Sequence, residues 1–314
     1  MSPSPAQHVE AIIVSHNTVR PLRECLTSLL HEGPRSVVVV DNASSDGSAD
    51  MVAAEFPTVR LIRNADNVGF ARAVNQALRD ASSTFVLLLN PDAVMTRGSL
   101  GILTDYLLDF PTAGAAGPAM LHPDGRLRVM PAGRQPTLWR VFTHATGLSR
   151  LSGVSPVFDG WQHRAGVHDR GPLAVEWLTG GCLLVRTDAA HAVGLLSERW
   201  FLYAEDLDLC KRLTDAGWRI VHLPNAVVYH RFGSSTPDVG AVNTRWIDAM
   251  TDYYRLRWSP NPITDLAWRL TFAGGFIARS AGYALVAERR PAQRSAWRRE
   301  ARKYAAYARA VVRS

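Results

Sequence analysis

The chain has 314 residues, of which 47% are hydrophobic and 20% are charged, and this is enough material for a full hydrophobic core. Its length fits one large domain with an appendage, or two small domains. Its three cysteines, Cys25, Cys182 and Cys210, show no paired spacing. An odd, unpaired set argues against a disulfide framework and predicts small core residues in a reducing compartment.

The positive charge is concentrated at the C-terminus. Residues 289–314 contain nine Arg or Lys and one acid, a net charge of +8, whereas the formal charge of the whole chain is +7. The remaining residues therefore sum to about −1. The positive charge of the chain thus belongs to the tail, where it predicts an anionic partner, and it gives no indication of a basic catalytic surface.

The first ten residues lack the pattern of a secretion signal, so we expect a cytoplasmic protein. The apolar segment 270–287 is interrupted by Arg279, falls short of a transmembrane helix, and would suit a membrane surface.

The first ninety residues alternate between strand and helix patterns. Apolar runs predict strands at 9–17, 36–44, 59–64 and 84–90, and amphipathic segments predict helices at 19–32, 48–56 and 69–81. Alternation of this kind implies a mostly parallel sheet flanked by helices, with right-handed crossovers. Ligands of such sheets bind beyond the carboxyl ends of the strands.

The pattern loosens after residue 110. Residues 111–172 are rich in Gly, Pro and Arg, and we expect mobile loops there, with a hairpin turn at 122–127. Order returns further on, where the sequence predicts two strands around a glycine turn and then a helix (175–194), a helix that ends at Gly217 (201–218) and one or two strands (219–230). Basic, helical sequence follows, so we predict a catalytic domain at 1–235 and a C-terminal helical extension at 236–314.

The strand at 84–90 ends in Asn90, Pro91 and Asp92. Pro91 lacks an amide hydrogen and favours an extended Asn90, which would place Asn90 and Asp92 on the same face. Amide and carboxylate oxygens suit Mg²⁺ or Mn²⁺ held jointly with phosphate. A simple turn in which Asp92 caps a helix is the alternative.

Two further motifs follow strands of the same predicted edge. Asp41 ends a valine-rich strand with Asp46 five residues later, where an acid can accept hydrogen bonds from a base or a ribose. Gly69 begins a helix whose backbone amides would approach a diphosphate, and Asn75 lies further inside it. Ordinary helix capping is the alternative explanation of both motifs.

The segment "WFLYAEDLDLCKRL" (200–213) crowds acids behind aromatic residues. Glu205, Asp206 and Asp208 follow Trp200, Phe201 and Tyr203 directly. A carboxylate beside aromatic walls is suited to act as a general base near a sugar acceptor. Acids that merely stabilise the start of a helix through its dipole are the alternative.

Taken in order, these motifs resemble the non-processive, inverting glycosyltransferases of family 2, which have a GT-A fold. The resemblance covers about residues 8–235, and the sequence is most similar to the bacterial branch that transfers rhamnose from dTDP-rhamnose to a polyprenyl-diphosphate-linked sugar, in the assembly of cell-wall or surface polysaccharide. The motifs are "VSHN", "VDNASSDGS", "NVGFARAVNQAL", "LLLNPDA", "WLTGGCLLVR", "YAEDLDLCKRL" and "VVYH".

The resemblance implies a role for each matching residue. Asp206 would be the catalytic base, supported by Glu205, and Asp92 with His230 would hold Mg²⁺ or Mn²⁺. The residues implied in donor and nucleotide binding are Ser15, Asn17, Asp41, Asp46, Asn67, Gly69, Asn75 and Asn90. Those implied in acceptor binding are Trp177, Thr179, Gly180 and Gly181.

Two departures from the family pattern matter. The usual acid-x-acid motif is present as Asn90-Pro91-Asp92, which leaves one carboxylate. The Gln-x-x-Arg-Trp element of processive members is absent, which disfavours repeated polymerisation.

Alternatives remain at the level of sequence. UDP-galactofuranose is a second candidate donor, and a non-catalytic nucleotide-sugar-binding or membrane scaffold protein is a second class of function. A nucleotidyltransferase would carry a glycine-rich basic loop after its first strand, where this chain has "VSHNTVR". No nucleic acid partner is expected, although arginine clusters also bind nucleic acid phosphates.

The tail carries an apolar stripe flanked by basic residues, which predicts contact with an anionic membrane. A helix packed on the protein, or the seam of a homo-oligomer, is the alternative. The stripe consists of Trp297, Ala301, Tyr304, Ala308 and Val311.

Overall fold

The computed structural model describes residues 4–126, 131–162, 171–231, 242–259 and 261–314. The chain divides into two compact units, one formed by 1–133 with 164–237 and the other by 134–163 with 238–314. The domain boundary predicted at 235/236 lies outside the described residues. Residues 134–163, which the sequence placed with the catalytic domain, belong to the second unit.

The first unit is built on a nine-stranded sheet in the order β3-β2-β1-β4-β10-β6-β11-β5, with β8 paired to β11. The first four of these strands are parallel, as are β6 and β11, whereas β10 runs antiparallel to both of its neighbours. The predicted α/β class is confirmed. A separate two-stranded sheet pairs β7 with β9. The strands of the two sheets are β1 (Val9–Ser15), β2 (Ser36–Asp41), β3 (Arg60–Arg63), β4 (Phe85–Leu89), β5 (Ala93–Met95), β6 (Ala113–Leu121), β7 (Ala132–Gly133), β8 (Leu173–Val175), β9 (Trp177–Leu178), β10 (Cys182–Arg186) and β11 (Arg219–His230).

Helices of the first unit cover the sheet with the apolar faces that the sequence predicted. In α1, Leu22, Leu26 and Leu29 are fully buried, and β2 and β4 are buried on both faces as in other covered sheets. All three cysteines are free and buried, so the prediction of core cysteines is confirmed. The helices are α1 (Val19–Glu32), α2 (Ser48–Glu55), α3 (Phe70–Leu78), α4 (Ser99–Asp109), α6 (Thr187–Ala192) and α7 (Glu205–Asp215).

The prediction of loops throughout 111–172 is wrong for two segments. Residues 138–146 form a helix of the second unit, and residues 113–121 form β6, which lies inside the sheet between β10 and β11. This strand is composed mainly of Ala and Gly because its neighbours leave no room for larger side chains. A Cβ at Gly114 would lie 2.7 Å from Trp218 Cβ, and one at Gly117 would lie 2.9 Å from Leu178 Cδ2. A strand without large apolar residues gives no periodic signal.

The hairpin turn predicted at 122–127 is present as far as it is described. His122 donates its backbone N–H to the carbonyl of Arg126, 2.9 Å away, and Gly125 adopts a left-handed φ of 78°. Residue 127 lies outside the described residues.

The second unit is helical. It contains α5 (Leu138–Thr146), α8 (Arg245–Arg257), α9 (Pro262–Arg289) and α10 (Arg294–Arg313). One face of α9, called here its inner face, buries Trp268, Phe272 and Phe276, and the Trp268 ring stacks on Tyr254 of α8 with centroids 4.7 Å apart. This aromatic cluster forms the core of the unit.

The apolar stripe of the tail is an internal packing surface. Ala301, Ala308 and Val311 are buried, and the rings of Trp297 and Tyr304 stack on Tyr283 of α9. The expectation that this stripe faces a membrane is therefore wrong, because α9 already covers it. The alternative of a helix packed on the protein holds for α10.

Helix α9 is long and apolar. Its most apolar 18-residue window has a mean hydropathy of 1.2, so length and composition alone would allow a membrane crossing, contrary to the expectation based on Arg279. In that window 28% of the residues are buried.

We expect Gly114→Ala to lower the free energy of unfolding by about 1–3 kcal/mol, because its methyl group would overlap Trp218 in the middle of the sheet. The matched control is Gly101→Ala in α4, where a Cβ meets nothing within 4 Å. The control should be neutral or stabilising by up to about 1 kcal/mol, since alanine favours a helix over glycine. Denaturant titration measures both, and equal effects would contradict the packing argument.

Candidate active site at the carboxyl edge of the sheet

The loops that follow β1 and β2 are joined by side-chain hydrogen bonds. The buried Ser15 hydroxyl lies 2.8 Å from Thr18 Oγ1, and Asn17 Oδ1 accepts from the Ser45 N–H at 2.8 Å. Asp46 accepts from Val19 N at 2.9 Å and from Ser48 N at 3.0 Å. Asp46 therefore caps α1 and α2, which is the structural alternative considered for it, and its carboxylate oxygens are occupied by the protein.

Asp41 ends β2 with one carboxylate oxygen available. It is 3% exposed, and its Oδ2 accepts from Ser44 N at 2.9 Å. Its Oδ1 is buried and has no hydrogen-bond partner among the described residues. A buried, unsatisfied carboxylate oxygen is costly, and a hydrogen-bond donor supplied by a ligand would satisfy it.

Asn42, which the sequence did not single out, organises this edge. Its Nδ2 donates to Asn67 Oδ1 at 2.8 Å, and its Oδ1 accepts from Val68 N at 3.1 Å. Asn67 Oδ1 also accepts from Gly69 N at 3.1 Å. The predicted donor residue Asn67 is thus used to shape the turn before α3. The Asn that directly follows the strand-end residue Asp41 was the signal that the sequence offered for this role.

Gly69 has a structural reason to be glycine. Its φ is +88°, and a Cβ there would lie 2.6 Å from the Phe201 carbonyl oxygen. The same carbonyl accepts from Phe70 N at 2.9 Å. The start of α3 is therefore attached directly to the segment that leads into α7.

Asn75 does not face the carboxyl edge with a free amide. Its Nδ2 donates to Leu196 O at 2.9 Å and to Glu198 Oε1 at 3.0 Å, and its Oδ1 accepts from Leu196 N at 3.2 Å. These bonds use its polar atoms to hold the turn at 195–198. These bonds indicate a positioning role for Asn75, and its contact with a donor stays a prediction.

Asn90, Asp92 and His230 form a buried polar cluster. His230 Nε2 lies 2.9 Å from Asp92 Oδ1 and 3.1 Å from Asn90 Nδ2. The strand pairing of β11 with β5 brings His230 opposite Ala93, directly after the Asn-Pro-Asp turn. Residues that are far apart in the sequence are therefore joined at one point of the edge.

The Asn90–Asp92–His230 cluster can be tested as a cation site. Within the described ranges no group of three or more His, Cys, Asp or Glu side chains forms a complete set of metal ligands. Asp92 and His230 provide two ligands side by side, and Asn90 adds an amide. Mg²⁺ is commonly held by one or two protein carboxylates together with substrate phosphates and water, so this small ligand set fits a cation shared with a diphosphate.

The predicted acceptor loop connects the polar cluster to α7. Gly180 N donates to Asp206 Oδ2 at 2.9 Å, and Gly181 O accepts from Asn90 N at 3.0 Å. A Cβ at Gly181 would lie 2.9 Å from Met120 Cε, so a side chain there would require the end of the Met120 side chain to move. Thr179 Oγ1 accepts from Gly181 N at 3.3 Å, and Trp177 is only 5% exposed.

The start of α7 is a strained turn. Tyr203 and Ala204 have left-handed φ values of 73° and 71°, which are uncommon for residues other than glycine. Such strain persists only where the surrounding structure fixes it, and it clusters at functional sites. The turn places Glu205 and Asp206 at the N-terminus of a helix, whose dipole favours negative charge.

Glu205 and Asp206 have different environments. Glu205 is 4% exposed and its Oε2 has no partner within the described part of the chain, whereas Asp206 is partly exposed. Burial, followed by repulsion from Asp206, raises the pKa of Glu205 to about 8. Burial also raises the pKa of Asp206, but N–H groups of Gly180 and Leu207 oppose this by stabilising its carboxylate. The arrangement favours a proton on Glu205 and negative charge on the more exposed Asp206.

The edge therefore brings together Asp41, Asn90, Asp92, Gly180, Gly181, Asp206 and His230 through the loops described above. Asn17, Asp46, Asn67 and Asn75 form hydrogen bonds that connect those loops, and their contact with a donor stays a prediction. A carboxylate base near side chains suited to a cation and a diphosphate could deprotonate a hydroxyl group while a diphosphate leaves.

Comparison with known proteins identifies the family of the chain. A family described as "Glycosyl transferase family 2" matches residues 10–162. The chain is 36% identical over 245 residues to the N-acetylglucosaminyl-diphospho-decaprenol L-rhamnosyltransferase of Mycobacterium tuberculosis, an alignment that covers 74% of this chain and 75% of that relative.

Solved structures share the fold. The mannosyltransferase of Pyrobaculum calidifontis in complex with GDP-Man and Mn²⁺ superimposes with a TM-score of 0.60 at 20% identity, over 99% of this chain and 88% of that one. A protein crystallised with UDP, GalNAc and Mn²⁺ superimposes with a TM-score of 0.58 at 13% identity, over 88% of this chain and 51% of that one. The predicted GT-A type of fold is confirmed.

The raised pKa of Glu205 predicts a pH dependence of stability. The folded protein keeps a proton that the unfolded chain releases, so this contribution is complete below pH 4.5 and is lost as the pH rises toward about 8. Glu205→Gln keeps the shape and removes the titrating group. We expect wild-type unfolding free energy to fall relative to this variant by up to about 1.4 kcal/mol per pH unit across that range.

Denaturant titration at several pH values checks this expectation. Asp105→Asn, at an exposed position of α4, is the control for removal of one carboxylate. Parallel pH profiles for wild type and Glu205→Gln would contradict the assignment of the proton to Glu205.

Proposed function

The chain belongs to glycosyl transferase family 2, and from its site we propose an inverting, non-processive glycosyltransferase that acts on a hydroxyl group of a lipid-linked saccharide. The observation that carries the proposal is the partly exposed Asp206 carboxylate, held by Gly180 N. Gly181, the next residue, binds Asn90 of the cation and diphosphate element. The catalytic base and the site of the leaving group are therefore both attached to the Gly180–Gly181 dipeptide.

The reaction is a single displacement at the anomeric carbon of the donor sugar. Asp206 accepts the proton of the acceptor hydroxyl group while the oxygen of that hydroxyl group bonds to the anomeric carbon. The bond from the carbon to the nucleoside diphosphate breaks, and the diphosphate leaves with the electron pair, so the configuration inverts. General-base catalysis of this kind contributes about 10²- to 10⁴-fold.

Different residues of the site bind different parts of the nucleotide donor. Asp41 Oδ1, the unsatisfied oxygen at the end of β2, accepts a hydrogen bond from the nucleobase. Asn90 lies beside the diphosphate, and Asp92 with His230 would hold Mg²⁺ or Mn²⁺. Such a cation offsets the negative charge that grows on the leaving diphosphate. The Mn²⁺ complexes of both structural neighbours support use of a divalent cation.

The donor we propose is dTDP-rhamnose, and the acceptor is a polyprenyl-diphosphate-linked N-acetylglucosamine. The support is the relative at 36% identity, whose name describes rhamnosyl transfer to N-acetylglucosaminyl-diphospho-decaprenol. A lipid-linked acceptor is confined to a membrane, and three free, buried cysteines fit a reducing compartment. The enzyme therefore works in the cytoplasm, peripherally bound to the inner face of the cell membrane.

A donor panel tests this function. Purified protein with Mg²⁺ or Mn²⁺ receives dTDP-rhamnose, UDP-galactofuranose or other nucleotide sugars, with a short-chain polyprenyl-diphosphate N-acetylglucosamine acceptor, and products are identified by mass spectrometry. We expect a deoxyhexose increment from dTDP-rhamnose alone. Asp206→Asn should lose about 10²- to 10⁴-fold in turnover with nucleotide binding intact.

The matched control is Asp215→Asn, an exposed acid at the far end of the same helix. Near-normal turnover in Asp206→Asn would remove it as the base. Nucleotide binding without product from any donor would reject the proposed acceptor and leave the family unchanged.

The cation assignment predicts a separate effect of Asp92→Asn. Loss of the only carboxylate in the Asn-Pro-Asp turn should raise the Mn²⁺ concentration for half-maximal activity by at least about tenfold. Metal titration of transfer measures this, with Asp109→Asn, an exposed acid that ends α4, as the control. An unchanged metal dependence in a folded Asp92→Asn variant would exclude Asp92 as a ligand.

A further inference from the structure

Helix α9 has an exposed apolar face that α10 and the aromatic core leave uncovered. At 100° per residue its members fall within an arc of roughly 160° and extend over about 33 Å. None of them is charged. This outer face of α9 consists of Ile263, Leu266, Leu270, Gly274, Ile277, Ala278, Ala281, Gly282, Ala284 and Leu285, all exposed.

The exposure of the outer face is substantial. Ile263 is 79% exposed, Leu270 is 63% exposed and Leu285 is 63% exposed. Contiguous apolar surface of this length on a protein marks an interaction site. The charged residues of α9 between these positions lie on the opposite side of the helix, where Asp265 pairs with Arg255 and Arg279 donates to His144 O at 3.1 Å.

Positive charge borders the outer face. A hollow of about 540 Å³ between α9 and α10 is lined by Ile277, Ala281 and Ala284 on one side and by Arg309, Val312 and Arg313 on the other. Within the described residues, neither arginine forms an ion pair with a carboxylate. Residues 262–314 contain eleven Arg or Lys against three acids, a net charge of +8.

The three acids of this segment are already paired with nearby cations. Asp265 pairs with Arg255, Glu288 pairs with Arg298, and Glu300 pairs with Lys303. Several arginines are therefore left to bind anions from outside the unit. The exposed ones with no carboxylate partner in the described part of the chain are Arg289, Arg290, Arg299, Arg302, Arg309 and Arg313.

We propose that the outer face of α9 is a membrane-binding surface that lies in the interface of an anionic bilayer. A long apolar face bordered by arginines matches both components of such an interface, since the side chains enter the acyl boundary and the guanidinium groups bind lipid phosphates. The helix lies along the surface instead of crossing it, because its inner face packs on α8 and α10 through Trp268 and Phe276.

Vesicle flotation tests this surface without donor or acceptor. Wild type should float with vesicles of phosphatidylcholine and phosphatidylglycerol, and Leu270→Asp with Ile277→Asp should reduce binding at least about tenfold. Val154→Asp, at an 83% exposed position outside α9, is the matched control and should bind as wild type does. Arg309→Gln with Arg313→Gln should weaken the preference for anionic over neutral vesicles and its salt dependence.

Unchanged flotation of the Leu270 and Ile277 double variant would overturn the proposal. If that variant also loses self-association, measured by sedimentation, the face would be assigned to contact with a second copy. Thermal unfolding establishes that the variant is folded. Its turnover of a short-chain acceptor should equal that of wild type, so failure of the membrane surface and failure of the proposed function are separate results.

Discussion

The site depends on two backbone hydrogen bonds made by adjacent glycines. Gly180 donates to the Asp206 carboxylate, and Gly181 accepts from the Asn90 amide, so one dipeptide fixes the start of α7 relative to the end of β4. A side chain at residue 181 would displace the end of the Met120 side chain. The glycine groups in these bonds belong to the backbone, so of the four groups involved only the Asp206 carboxylate loses side-chain rotamer freedom. The start of α7 and the end of β4 are thus both attached to the same dipeptide.

The dipeptide is placed by the antiparallel strand β10, which interrupts an otherwise parallel region of the sheet. Because β10 runs opposite to β4, its first residues lie at the carboxyl edge beside Asn90. A parallel strand would bring its last residues there instead. Gly114 and Gly117 of β6 leave space for the side chains of Trp218 and Leu178, which pack against β6. The composition of β6 and the position of the loop at residues 179–181 are therefore parts of one packing arrangement.

The sequence predicted the first seven elements because each carries a complete apolar pattern with turn residues between. The sequence pattern did not predict β6, because a strand of Ala and Gly shows no alternation of large apolar and polar side chains. The small side chains of β6 are required by neighbours that are distant in the chain. In the site, strand-end acids such as Asp41 and Asp92 were recognisable by position alone. The role of Asn75 could not be recognised from the sequence, because its partner Leu196 lies 121 residues away. Likewise, the amphipathic pattern of α10 could not reveal that α9 covers it.

Substitutions on the two faces of α9 are limited by different requirements. Substitutions on the inner face change the packing of Trp268, Phe272 and Phe276, so folding itself limits them. Substitutions on the outer face remove few internal contacts and leave the free energy of unfolding nearly unchanged. A substitution on the outer face can therefore change how strongly the helix binds a membrane without changing the sheet edge that carries Asp206. Within one helix, folding and membrane attachment are thus set by separate sets of residues.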